Sequence, residues 1–459
     1  MNLFLVLAAI FLLAGLAVGA IYMRFQFERQ QALADVQAEL DRIREAGEPI
    51  TPEDMHRYHQ GGRRSAEKAE LWLAAISALP DVKDGSDEEA ALFDALGSRS
   101  PLSRDVLARA EALLLKGSEA IQRASEAAKI EGEARFHIEF EDGIYARTDH
   151  HFNLRQLIRW FAVRNRVAVS HGDAQGAIES LHLMLAAIEA LDVEPLMLSQ
   201  AVRSAMVRML LLDIRYHLDN LNLTDEQLGD LQNSLASIEF KDSFRRGLIG
   251  ERATAYQAFH YLIEDHPDKM FGTKVTRADG ELRRPADFRY YLDELREFLV
   301  AVEHPLPEAV QHAAQLDARV KKIAQSESRS KSPALAGSAE LLPATVSAVY
   351  GWAYAQSDRD CAVAAIAFRR YQLAHGKPPE SLAALCPEFL ATVPQDPFSK
   401  TPAPLRLVVD DDRFAIYSVG ENGSDDRCLL ADPNSADDSG IVVRLSLPPK
   451  SNSPNPAQQ

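Results

Sequence analysis

The chain has 459 residues, 46% of them hydrophobic, and a formal net charge of −17 at pH 7. That length suffices to bury a large core in about two domains. The acidic balance excludes generic nucleic-acid binding, which depends on Lys and Arg neutralising phosphates, and three cysteines are too few for a disulfide scaffold.

Leu3–Met23 carries no charged side chain. At the helical rise it covers roughly 31 Å, one bilayer core, so residues 1–23 read as a transmembrane anchor. A cleaved signal peptide is the alternative, with Val18–Gly19–Ala20 as its small-residue site. The lack of Lys or Arg before the apolar run favours the anchor. Arg24, Arg29, Arg42 and Arg44 follow the span, and the positive-inside rule would put that side in the cytoplasm. Residues 24–64 form a juxtamembrane segment. Phe25–Arg44 continues the helix with polar residues, and Gly47–Pro49 and Gly61–Gly62 break it.

Residues 65–325 read as an α-helical domain. Leu154, Leu157, Ile158 and Phe161 share one helical face. So do Ile178, Leu181, Leu185 and Ile188, and then Leu198, Val202, Ala205, Met209 and Leu212. Asp173 is an N-terminal signal for the second helix, and Glu194–Pro195 opens the third, since proline suits a first turn. Thr224–Gln227 reads as a capping box. Short breaks make successive helices antiparallel neighbours. Arg164–Asp173 and the apolar helix after it resemble one tetratricopeptide hairpin. No second copy follows at a period of about 34 residues, which leaves a helical bundle or a non-repetitive array. Asp265–Asp287, with Pro267, Gly272, Gly280 and Pro285, reads as a long loop. Residues 326–340, rich in Ser with Pro333 and Gly337, read as a linker.

Residues 341–447 form a different module. Cys361, Ala364, Ala365, Phe368 and Tyr371 make one helical face. Gly376 suits a left-handed helix end, and Pro378–Pro379 forbids continuation. Leu405–Val409, Arg413–Val419 and Ile441–Leu447 alternate as strands do, the first two joined by a turn at Asp410–Asp412. The fold class is therefore mainly α with a C-terminal α+β module: a helix on a small antiparallel sheet. Residues 448–459 bury too little to fold and read as a disordered tail.

The order of features from Asp360 to Leu447 resembles the C-terminal part of the major pseudopilin of type II secretion systems. Tyr371–Gly376 match that family's helix end. Pro379, Leu385, Pro387 and Leu390 match the turn and short helix that follow. Val393–Pro394 and Asp396–Pro397–Phe398 match its proline-rich corner, with Phe398 where Trp is usual. Ile416–Gly423 match its late strand and turn. The chain departs from the family in Ser399–Pro402, in an insertion at Arg427–Ser435, and in lacking the leader cleavage motif. The resemblance implies an exported assembly module with its bulk on the periplasmic, external side. It also implies a calcium site at Asn422, Asp425, Asp426, Asp437 and Asp438, a chemistry that suits an ion taking six to eight oxygens. Cys386 and Cys428 lie in the same module and form either a pair or free thiols.

Catalytic candidates are sparse. Asp149 precedes His150–His151, and His56 and His59 are spaced like one side of a metal site. A metal centre needs at least three ligands with a supporting shell, and neither His-Glu-x-x-His nor Cys-x-x-Cys nor a phosphate-cradling glycine loop is present. These histidines read as packed or surface residues. Glu251–Arg252, beside Arg245, Arg246 and Glu264, reads as an ion pair. Ser418 is not in a Gly-x-Ser-x-Gly elbow. The expectation is a non-enzymatic protein, anchored through Leu3–Met23, that binds protein partners. The alternatives are a cytoplasm-facing helical scaffold and a hydrolase with an inter-domain site.

Overall fold

The helix that opens the chain does not stop where its apolar run does. In the computed structural model, which describes residues 2–80, 102–264, 277–328, 335–425 and 438–446, α1 runs Asn2–Glu45. Phe11, Leu12, Leu13, Ile21 and Met23 are exposed, whereas Leu40 and Ile43 are buried. This last part packs on α11 (Arg277–Glu303). Buried Glu39 receives Arg42, Arg289 and Arg296 at 2.9, 3.3 and 2.9 Å. Among the described residues this is the helix long and apolar enough to cross a membrane, a test that a signal sequence also passes. Gly47, at φ 71°, ends it in a conformation that costs glycine little.

The helical body follows in chain order. α2 is Pro52–His59, opened by a capping box of Thr51 with Asp54. α3 is Arg63–Ser77, α4 Arg104–Lys116 and α5 Ser118–Lys129. A short 3-10 helix, Phe140–Tyr145, leads to α6, Asp149–Ser170. α6 and α7 (Ala174–Glu189) form the expected hairpin, with Asp173 accepting from Gly176 N at 2.9 Å. Both apolar faces read from the sequence are buried in them.

α8, Met197–Asn220, is turned the other way from the sequence expectation. Leu198 and Leu212 are 56% and 58% exposed, while Gln200, Arg203, Asp213 and His217 are buried. The buried face is interrupted by polar residues that find partners inside, so counting apolar side chains selects the outer stripe. Pro195 lies before α8 rather than in its first turn, and Leu196 is the N-cap.

α9 (Asp225–Ala236) starts at the expected capping box, and α10 is Lys241–Glu264. α11 corrects the loop expected at Asp265–Asp287: it is already helical from Arg277 and carries Pro285 within it. A proline there forgoes one helical hydrogen bond without ending the helix. Residues 265–276 lie outside the described residues. α12 is Leu306–Ser328, and α13, Ala336–His375, begins inside the expected linker. Its first amides are capped from another helix: Asp287 of α11 accepts from Gly337 N at 2.8 Å and Ser338 N at 3.0 Å.

α13 organises the C-terminal half. Phe368 stacks on Phe414 of the sheet at 3.8 Å between ring centroids, on the face the sequence indicates. The opposite side is buried too: Ala362, Val363, Ile366 and Ala367 meet protein, because α8, α9 and α12 also pack on this helix. β1 (Arg406–Val409), β2 (Arg413–Ser418) and β3 (Ser439–Arg444) form an antiparallel sheet in the order β1-β2-β3. Val408 faces Ala415, and Phe414 faces Val443. Asp396 joins the proline-rich corner to β2, accepting from Phe398 N at 3.0 Å, Ser418 Oγ at 2.6 Å and Val419 N at 3.1 Å. Arg406 closes the corner at 2.8 Å from the same carboxylate. Buried Arg369 donates to the carbonyls of Leu445 at 3.0 Å and Leu218 at 3.4 Å, tying β3 to the end of α8. Burial lowers its pKa to about 10.

One hydrophobic cluster runs from Leu40 through the helices to Val443. The module is thus packed into the body on several sides. If a specific protease site replaces residues 329–334, the two fragments are expected to co-elute under native conditions and to unfold in one transition. Separation into two independently melting pieces would instead establish an autonomous C-terminal domain.

Candidate functional site

Four buried polar side chains from α6, α8 and the turn after α7 meet at one point. His150 and His151 lie in the first turn of α6, where neighbouring side chains diverge by about 100°. Both still reach one carboxylate, Glu194, in the turn between α7 and α8. His150 Nε2 lies 2.7 Å from Glu194 Oε1, and His151 Nε2 lies 2.6 Å from Oε2. Ser199, early in α8, donates to Oε2 at 2.6 Å and lies 3.0 Å from His151 Nε2. Glu194 is fully buried. Burial alone would raise its pKa, but hydrogen bonds and charge from the two imidazoles hold it down to about 2.

The turn that carries Glu194 is fixed from two sides. Gln200 donates to the carbonyls of Glu194 at 3.0 Å and Leu191 at 3.3 Å. Behind it, Gly250 of α10 lies so close that a Cβ would sit 1.6 Å from the Pro195 carbonyl oxygen. Only glycine permits that approach.

The other histidine pair of the sequence arrives at the same place. His59 of α2 hydrogen-bonds the Phe136 carbonyl at 3.0 Å. The Phe136 ring stacks on His150, with centroids 4.5 Å apart and planes 17° from parallel. His56 meets Phe140 edge-on at 5.1 Å and pairs with Glu141 at 2.9 Å. A cleft of about 280 Å³ opens here, lined by His56, His59, Arg135, Phe136, His137 and Phe140 among others. Phe136 thus stands between the cleft and the buried centre. Burial lowers the pKa of His59, with the Glu194 charge opposing it. His56, His59, His150 and His151, two separate pairs in the sequence, gather on one feature. Glu194 was missed, since no spacing links it to residues more than forty positions earlier.

The geometry argues against a nucleophilic serine. In a catalytic triad the hydroxyl and the carboxylate sit on opposite ring nitrogens. Here both meet Nε2 of His151, and its Nδ1 is buried without a hydrogen-bond partner. The arrangement suits holding a cation or a proton between fixed ligands.

Other charged groups have structural work. Asp213 accepts from Asn165 Nδ2 at 2.8 Å and Arg166 Nε at 3.1 Å, while His217 donates to Asn165, which cross-links α6 and α8. Arg166 also lies 3.6 Å over the Tyr216 ring. Burial, helped by Arg166, pushes His217 down to about 3. The ion pairing expected around Glu251–Arg252 is made by the arginines with a distant carboxylate. Arg252 and Arg245 bind Glu48 at 2.7 and 2.9 Å, and burial pushes the Glu251 carboxyl up to about 7.

Of the oxygens expected around calcium, those of Asp426 and Asp437 lie outside the described residues, as does Cys428. Asn422 accepts from Ser424 N at 2.7 Å. Asp425 accepts from the Tyr417 hydroxyl at 3.0 Å and pairs with Arg406 at 3.2 Å. Asp438 is buried. A guanidinium thus stands beside Asp425, one of the three described donors.

Comparison of the chain with protein-family models, with curated proteins and with solved structures finds no match.

Three measurements follow from this geometry. Gly250→Ala is expected to destabilise by about 1–3 kcal/mol through overpacking, whereas Gly229→Ala is expected to be neutral or stabilising by up to about 1 kcal/mol. In Gly229's place a Cβ meets Arg370 only at ordinary contact distances, 3.5 Å and beyond. Equal effects in chemical denaturation would mean that the Pro195 contact does not constrain the turn.

The pH dependence has two limbs of opposite sign. A histidine with a depressed folded pKa takes up its proton more readily when unfolded, so the His217 contribution is lost as pH falls from 6.5 toward about 3. Glu251 has a raised folded pKa, so its contribution is present below 4.5 and lost as pH rises to about 7. Denaturation midpoints of Glu251→Gln across this range should lack the second decline and keep the first.

For the acidic loop, calcium, magnesium and matched sodium chloride are expected to change the melting temperature of the full chain equally, through screening. A rise specific to calcium and abolished by Asp438→Ala would restore the calcium site.

Proposed function

We propose that the protein is a membrane-tethered, non-enzymatic envelope protein. Its helical body and C-terminal pseudopilin-like module face the periplasm and bind protein partners in an assembly or secretion-type role. The observation that carries this reading is α1. Its apolar stretch is exposed from Ile10 to Met23, and its last turns are built into the core beside α11. A helix of that kind suits a permanent tether better than a segment to be removed. The resemblance of residues 360–447 to pseudopilins supports the outward orientation. β1 stands at one end of the sheet order, and an edge strand offers backbone groups on which a partner strand adds.

The expected outcome is retention in the membrane after carbonate washing, with the chain beginning upstream of Ile21. A C-terminal reporter active only on the external side is expected as well. A soluble product that begins at Ile21 would replace the tether with a signal peptide. A C-terminus protected on the cytoplasmic side would favour the cytoplasm-facing scaffold.

A further inference from the structure

We propose that His150, His151 and Glu194 bind a divalent transition-metal ion of the zinc type, reached through the histidine-lined cleft at α2. This goes beyond the tethering role and does not depend on it. The three ligand atoms, one from each residue, lie within 4.8 Å of one another, and all three residues are buried. Two imidazole nitrogens and a carboxylate oxygen form a donor set that zinc-type ions accept. Calcium and magnesium prefer oxygen alone.

The geometry requires only a small expansion. The nitrogen–oxygen separations are 2.7 and 2.6 Å in the hydrogen-bonded state. Ligands at roughly 2.0–2.1 Å from one tetrahedral ion lie about 3.3 Å apart. The ion therefore takes the place of the two Nε2 protons between ring and carboxylate. A charged ring releases its Nε2 proton to solvent, and a neutral ring moves that proton to Nδ1, so either binds as a neutral ligand. His151 Nδ1 has no present partner and is free to carry one. Ser199 is placed to keep its bond to Oε2 and so to orient the carboxylate once the metal is bound.

Access is the second observation. His59 is 7% exposed, lines the cleft and carries a buried Nδ1 without a hydrogen-bond partner. It hydrogen-bonds the carbonyl of Phe136, whose ring covers His150. A metal ion entering the cleft thus meets a nitrogen donor before the buried triad. His56 lines the same cleft.

The test uses the untagged full chain in detergent, stripped with a chelator and desalted, then titrated with Co²⁺. One equivalent is expected to produce the visible d–d bands of a low-coordinate nitrogen–oxygen site, and Zn²⁺ is expected to bleach them. Glu194→Gln and His151→Gln are expected to weaken binding about 100-fold or more, and Ser199→Ala about 10- to 100-fold as an orienting group. His171→Gln is expected to leave the bands unchanged, since that residue is exposed and pairs with Glu111. Far-UV circular dichroism checks that each variant folds. Should the variants not fold, the wild-type titration decides alone: no saturable cobalt bands at one equivalent would overturn the proposal and leave the cluster a hydrogen-bonded clamp. Bands that persist in a folded Glu194→Gln variant would overturn it equally.

Discussion

Cys361–Phe368 is a run of helix in which every residue is buried. A helix can lack a solvent face only when partners surround it, and that requirement sets the arrangement of the second half of the chain. Ala362, Ala364, Ala365 and Ala367 keep the helix thin, so α8 and α9 pack on one side while β2 and β3 pack on the other. Phe368 and Arg369 then separate the roles of consecutive positions. The ring stacks on Phe414, and the guanidinium gathers carbonyls from β3 and from the end of α8. Leaving those carbonyls buried without a donor costs about 1–3 kcal/mol each. The sheet is therefore held by polar satisfaction as well as by apolar contact. Its three short strands draw stability from packing against α13.

The same logic runs through α8. Its inward face carries Gln200, Arg203, Asp213 and His217, each costly to bury alone. Arg203 is matched by Asp192 at 3.0 Å and by the Glu239 carbonyl at 2.7 Å. Asp213 takes Asn165 and Arg166 from α6. Removing one member would strand the others, so these contacts fix the register of α8 against α6 more than they add net stability.

How much of this was legible depended on whether the signal was local. Caps and breaks were: Asp173, the Thr224–Gln227 box, the end of α1 at Glu45 and the left-handed Gly376 all stand where local chemistry puts them. So were the helical character, the three strands and the apolar faces of α6 and α7. The α8 face was not, because its inward side is interrupted by charges whose partners lie on other elements. The helical start of α11 was hidden by Gly280 and Pro285, residues that disfavour helix locally but sit within one here. The histidine centre was the least legible. His150–His151 and His56–His59 are visible as pairs, but Glu194 looked like part of a helix start. Only the fold of α7 back along α6 brings it to them.

That centre also has a mechanical setting. Its carboxylate sits on a turn that touches α10 at Gly250. Two residues on, Arg252 holds Glu48, in the segment just after α1, and Arg245 of the same helix holds Glu48 as well. That segment continues into α2, which carries His56 and His59 of the cleft. Glu39, before the end of α1, is clasped by Arg289 and Arg296 of α11, and α11 in turn packs on α10. The apolar helix, the cleft and the buried carboxylate are thus joined through α10 by short contacts between buried or half-buried groups. Buried, tightly packed contacts transmit displacement rather than absorb it. Static contacts therefore connect the end of α1 to the wall of the cleft through Glu48 and α2, and α10 to the carboxylate turn through Gly250 and Pro195. The end of α1 and the histidine centre are thus both held against α10 and its neighbours.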